Sequence, residues 1–154
     1  RPSIVLLTRQ GLPVLDRSKY SDVNNCNKGG YIISDCNSTP DIIIYSTGSE
    51  VSLSLDVKEA MEKDFNIRVV NMFCWKLFDE QSEDYKKSIY GDSSSLLVSI
   101  EAGITQGWQK FTGIDGLNIG INTFGESAPG TEVAMHFGIT PKAVAESIQR
   151  RLNS

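Results

Sequence analysis

The sequence predicts an α/β domain whose mostly parallel sheet is covered by helices on both faces. Two observations carry this prediction. Short apolar, β-branched runs alternate along the chain with stretches of helical spacing. The stretch from Asp41 to Lys63 shows the repeating unit itself. Ile42-Ile43-Ile44-Tyr45 has no polar alternation, as a strand buried on both faces requires, and after Thr47-Gly48-Ser49-Glu50 the apolar positions change to helical steps. Junctions of this kind are where open α/β sheets bind ligands, because the free N–H groups and dipole of a helix start favour negative charge.

Composition narrows the function classes. At 154 residues the chain has room for one domain with a sizeable core. Hydrophobic content of 40% and charged content of 22% describe an ordinary globular protein. The formal charge of −4, with no basic cluster longer than Arg150-Arg151, argues against nucleic acid as a partner. No apolar run approaches the roughly 18 residues of a membrane helix, so no membrane partner is expected. The cysteines Cys26, Cys36 and Cys74 are odd in number and form no C-x-x-C pair, which suggests a reducing, cytoplasmic setting without a disulfide framework or zinc site. The chain opens Arg1-Pro2-Ser3-Ile4 with no initiator Met and an apolar run two residues in, the expectation being a piece of something longer.

In chain order, Ser3 to Thr8 reads as a strand, followed by a polar, Asn- and Ser-rich connection through Asn27. Gly29 to Asp35 is a second short strand. The turn after it is too short for a parallel return, so the strand is expected to pair antiparallel. The helix after Gly48 takes Ser49 as cap, with Leu53, Val57, Ala60 and Met61 as its buried stripe. Ile67 to Met72 is the next strand and completes a parallel βαβ unit. A Ser cap, early acids and a terminal Gly mark a helix over 82–91, and a strand follows over 95–100. A short helical piece surrounds Trp108, and 117–121 is another strand. Thr140 as cap and Pro141 at the first helical position start the last helix, with Val144, Ile148 and Leu152 on one face.

The chemistry-bearing candidates are thin. Thr47-Gly48-Ser49-Glu50 is neither a dinucleotide fingerprint nor a phosphate loop, and Glu50 already occupies the positive field of the helix start; the structural reading, Gly for the turn and Ser for the cap, is preferred. His136 is the only histidine and has no nucleophile elbow or metal-ligand spacing beside it, which favours a partly exposed residue on a short helix. Trp108 reads as core or interface rather than ligand platform. Thr123 to Gly130 is a turn-rich loop that either binds something or only reverses the chain.

One set of motifs does resemble a known family. Leu7-Thr8-Arg9-Gln10-x-Leu12-Pro13, Lys28-Gly29-Gly30-Tyr31, Thr47-Gly48-Ser49-Glu50-Val51, Arg68-Val69-Val70, Leu77-Phe78-Asp79-Glu80-Gln81, Glu101-Ala102-Gly103, Gly107-Trp108 and Thr123-Phe124-Gly125-x-Ser127-Ala128-Pro129 fall in order over nearly the whole chain and closely resemble the C-terminal part of transketolases. Phe73 departs from the proline common at that place in the family.

The resemblance implies a parent enzyme that uses thiamine diphosphate and Mg2+ or Ca2+ to move a two-carbon ketol unit between sugar phosphates in the pentose phosphate pathway, as a homodimer. It implies a three-layer α/β/α domain with a mixed sheet of about five strands, one antiparallel, over 28–154, preceded by the tail of a pyrimidine-binding domain and a linker over 1–27. One residue carries over: Arg9 matches the arginine that holds the substrate's phosphate, a task suited to the planar, bidentate guanidinium. No catalytic, cofactor or metal-binding residue carries over, since the cofactor sits between the missing N-terminal domains, and the isolated chain is expected to be inactive. Two other functions stay open, one from the residues and one from the resemblance. One is an anion-binding or regulatory module at Gly48–Glu50. The other is the same domain of a related thiamine diphosphate enzyme, a dihydroxyacetone synthase or an α-keto acid dehydrogenase β subunit.

Overall fold

A computed structural model describes residue 2, residues 4–8 and residues 10–154. Strands β1 (Tyr31–Ser34), β2 (Ile42–Ser46), β3 (Ile67–Asn71), β4 (Leu96–Ile100) and β5 (Leu117–Ile119) make one sheet in the order β1-β3-β2-β4-β5. The unbroken apolar run of β2 earns its central place: all five residues are buried, with parallel partners on both sides, Val69 and Val98 flanking Ile44.

Because successive side chains of a strand point to opposite faces, β2 feeds two cores. Ile42 and Ile44 meet Val57 and Met61 of α1 (Glu50–Met61) and Val144 and Ile148 of α6 (Pro141–Leu152). Ile43 and Tyr45 meet an aromatic layer: Phe78 of α2 (Trp75–Asp79), Ile89 of α3 (Glu83–Tyr90) and Trp108 and Phe111 around α4 (Gln109–Thr112). Helices on both faces give the expected three-layer α/β/α architecture. A further helix, α5 (Gly130–His136), lies between β5 and α6.

Several local expectations need correcting. Residues 4–8 form no strand, and Ile4, Leu6 and Leu7 stand exposed; a strand exists only by pairing, and none of the five described strands lies against them. The antiparallel strand is present as β1, but its neighbour is β3 and not the adjacent β2, because both edges of β2 are already taken by β3 and β4. In α1 the buried stripe runs Val51, Ser54, Leu55, Val57 and Met61, while Leu53 is half-buried and Ala60 exposed. Leu152 at the end of α6 is 38% exposed. The caps of α3 and α6 form as expected, Ser82 Oγ accepting from the Tyr85 N–H and Thr140 Oγ1 from the Ala143 N–H, both at 3.3 Å.

Candidate functional site at the carboxyl edge of the sheet

The strand order defines one place where a ligand crevice opens. From β2 the chain crosses through α1 to β3 on one side; from β3 it returns through α2 and α3 to β4 on the other. The carboxyl ends of β2 and β4 are therefore the switch point of the sheet, where loops diverge. Thr47-Gly48-Ser49-Glu50 leaves β2 there and Glu101-Ala102-Gly103 leaves β4.

Gly48 turns the chain with φ +57, and a Cβ built on it would meet no atom within 4 Å, so the glycine serves backbone conformation and not packing. Ser49 does not cap α1. Its hydroxyl donates to Glu50 Oε1 at 2.9 Å and its backbone is already helical, which leaves no geometry for a bond back to the helix N–H groups. Glu50 is only 8% exposed, and Glu101 titrates near it. Burial first, and then the Glu50 carboxylate, push the Glu101 carboxyl up to about 7. Neither forms an ion pair with a described residue. Beside them, Ser46 Oγ and Asn71 Oδ1 are buried without a hydrogen-bond partner at paired positions of β2 and β3.

Glu50 at the helix start, with the Glu101 carboxyl at the end of β4 acting on the same place, disfavours the anion that this junction would otherwise attract. The crevice thus suits a neutral or cationic hydrogen-bond donor, and the pyrophosphate of thiamine diphosphate does not fit it. Nor do the described residues bring together three His, Cys, Asp or Glu side chains able to hold a metal ion. The crevice continues into a groove of about 780 Å³, with Ile4, Leu7 and Leu12 on one wall and Val51, Phe73 and Glu101 on the other.

The remaining candidates are dispersed. Arg9 lies outside the described residues. His136 is exposed on α5 and stands edge-on to Phe137, ring centroids 4.8 Å apart. Trp108 is core, 3% exposed and edge-on to Trp75 at 5.2 Å. The Thr123–Pro129 loop is exposed, with Phe124 at its tip. Glu101, paired with Glu50, is the functional group that the residues alone did not single out. It lies 51 positions from Glu50, and only the strand order brings the two together.

The buried Glu101 carboxyl, with Glu50 beside it, makes stability pH-dependent with a defined sign. Between about pH 4.5 and pH 7 the folded state keeps a proton on Glu101 that the unfolded chain releases, so stability falls as pH rises through this window and is level on either side of it. Glu101→Gln is expected to remove this slope and, because the group is half exposed, to stabilise the chain by only about 1 kcal/mol above the window. Denaturant midpoints at pH 5 and pH 8.5 check it; an identical pH dependence for both proteins would refute Glu101 as the raised group.

Comparison with known proteins adds what the geometry leaves open. A family model described as the transketolase-like TK C-terminal domain matches residues 29–140. The transketolase of Aquifex aeolicus (strain VF5) is 44% identical over 148 residues, covering 96% of this chain and 22% of that protein. The chloroplastic transketolase of Solanum tuberosum is 45% identical over 152 residues, 97% of this chain and 20% of that one. Among solved structures, a transketolase from Pichia stipitis in complex with sedoheptulose-7-phosphate matches with a TM-score of 0.84 at 36% identity, over 94% of this chain and 20% of that chain. A split-gene transketolase described as an inactive beta4 tetramer matches with a TM-score of 0.66 at 20% identity, over 94% of this chain and 48% of that one, and shows the shared fold alone. The chain spans about a fifth of the length of the curated relatives it matches. Among the described residues, no helix is long and apolar enough to cross a membrane.

Proposed function

The chain belongs to the transketolase C-terminal domain family, and on that premise we propose that it is the C-terminal domain of a dimeric enzyme that transfers a two-carbon ketol unit between sugar phosphates in the pentose phosphate pathway. The observation that carries this reading is sequence identity of 44–45% to transketolases over 96–97% of the chain. Thiamine diphosphate, with its divalent metal, supplies the carbanion-stabilising chemistry that such a transfer needs. In this reading it is bound by the preceding domains, in keeping with the acid-lined switch point described above.

This chain's part is architectural, with one exception. Arg9 binds the phosphate of the sugar substrate through paired, charge-assisted hydrogen bonds from its guanidinium. The enzyme is cytoplasmic, consistent with three free cysteines.

The test compares the 154-residue chain with the full-length parent. Each is given thiamine diphosphate, a divalent cation, a ketose phosphate and an aldose phosphate. Ketol transfer is expected from the parent and none from the chain alone. Turnover by the chain, or its absence from the loaded parent, would overturn the reading.

A further inference from the structure

The two edges of the sheet differ in what they show to solvent. Chain direction places Phe73 after β3, Ile104 after β4 and Phe124 after β5, all at the carboxyl edge. Met135 joins them, since α6 runs back to the amino edge, where Arg151 Nη2 donates to Asp115 O, and α5 therefore sits at the carboxyl end. Phe124 is 97% exposed, Met135 64%, Ile104 59% and Phe73 44%, whereas the amino edge offers Ile114 and Leu152. Hydrogen bonds from Thr105 to Asn122 Oδ1, at 3.0 Å from the backbone N–H and 2.9 Å from the hydroxyl, tie the loops that carry Ile104 and Phe124 together. Large apolar side chains gathered at one edge of a sheet mark an interaction surface.

We propose that the carboxyl edge is the docking face for the domain that precedes this one in the same parent chain, with Phe124, Ile104 and Phe73 as its apolar anchors. This rests on the C-terminal-domain reading above.

Three observations choose that occupant. The entering segment lines the groove on this edge, Ile4, Leu7 and Leu12 together with Val51, Phe73 and Glu101, so what precedes it joins the domain beside this face. A tether this short holds its domain at an effective concentration on the order of millimolar, above what a free second copy reaches at ordinary protein concentrations. The relatives carry about four-fifths of their length outside the match, which leaves ample chain to form the occupant. Charge agrees. Glu101 lines the groove with the Glu50 carboxylate acting on it from the helix start, and Arg17, the one cation lining it among the described residues, already donates from Nη1 to Ser21 O at 3.1 Å. The occupant is thus a surface with apolar side chains at its centre and hydrogen-bond donors opposite Glu101. A second copy of this edge would instead set acid against acid.

Hydroxyl-radical footprinting of the full-length parent tests this with an internal standard, since Phe124 is 97% and Phe78 0% exposed in this domain. In the parent, Phe124 is expected to label within about fivefold of Phe78; faster labelling overturns the proposal. Protection must persist when the parent is diluted to monomer. Loss on dilution identifies a second copy as the occupant and overturns docking in cis. Phe124→Asp in the parent is expected to raise proteolytic cleavage within residues 10–20 by about tenfold while Ile114→Asp leaves it unchanged; equal cleavage counts against the proposal. Ketol transfer measured on the same sample separates the two readings. An active parent with rapidly labelled Phe124 refutes the docking face alone, and a protected but inactive parent refutes the proposed function alone.

Discussion

Gly29→Ala is expected to lower the stability of the domain by more than about 3 kcal/mol. Gly29 holds φ +80, a left-handed conformation that costs a side-chain-bearing residue about 1 kcal/mol. The larger cost is steric. A Cβ there would lie 2.3 Å from Cys74 O, 2.5 Å from Phe78 N and 2.7 Å from Leu77 Cβ, and two of these three are backbone atoms that cannot swing away. The same backbone carries the hydrogen bonds that build the corner: Gly29 N–H donates to Cys26 O at 3.0 Å, Cys74 N–H to Gly29 O at 2.8 Å and Phe78 N–H to Cys74 O at 3.1 Å. Relieving the clash therefore moves α2, and with it Phe78, whose ring lies 5.7 Å from Tyr90 and 6.0 Å from Phe111 at the centre of the aromatic layer. Gly48→Ala is the control. Its φ of +57 imposes the left-handed cost of about 1 kcal/mol with nothing within 4 Å to clash. Urea unfolding of both variants decides the matter; losses of equal size would show that conformation, and not the close approach, governs Gly29.

That corner also shows where reading the residues stops. The features that were legible are those whose causes lie within a few residues of each other: the apolar run Ile42 to Tyr45 of β2, the Ser82 and Thr140-Pro141 starts of α3 and α6, and the parallel return from β2 to β3 through α1. α2 was not legible, because five residues from Trp75 to Asp79 carry no cap and no period; the helix is held by Cys74 bonding to Gly29 and by Phe78 filling the aromatic layer. Ser49 looked like a cap because the residue type is right, yet its backbone is already helical, so its hydroxyl accepts from no helix N–H and donates to Glu50 Oε1 instead. The strand expected at the start of the chain is missing over residues 4–8 for the opposite reason. The apolar pattern there is a strand pattern, but none of the five described strands pairs with it.

The candidate site divides the same way. Gly48 and Glu50 were visible as a strand-to-helix junction, and their field argument was sound as far as a single helix end goes. The strand order carries it further. By setting β4 beside β2, the fold adds Glu101 to the Glu50 that already occupied the helix start, and the junction becomes an acid pair. No local pattern encodes that neighbourhood, because it depends on which edge of β2 the returning chain chooses.

If Arg9 holds the substrate's phosphate as proposed, Arg9→Ala in the full-length parent is expected to raise KM for sugar phosphates about 10- to 100-fold, the equivalent of a net loss of about 1.4–2.7 kcal/mol, the worth of one charge-assisted hydrogen bond. kcat should change far less, because the phosphate is remote from the reacting carbons and its contacts are made equally in ground and transition states. Arg9→Lys should recover only part of the loss, since an ammonium keeps the charge but not the planar fork that engages two phosphate oxygens. A ketose lacking the phosphate gives the discriminating measurement. Wild type and Arg9→Ala should turn it over with the same KM, because the interaction removed by the substitution is one that this substrate never makes. Equal KM values for wild type and variant with the phosphorylated substrate would remove Arg9 from the binding site. A matching loss with the unphosphorylated one would mean that the arginine positions the segment and does not hold phosphate.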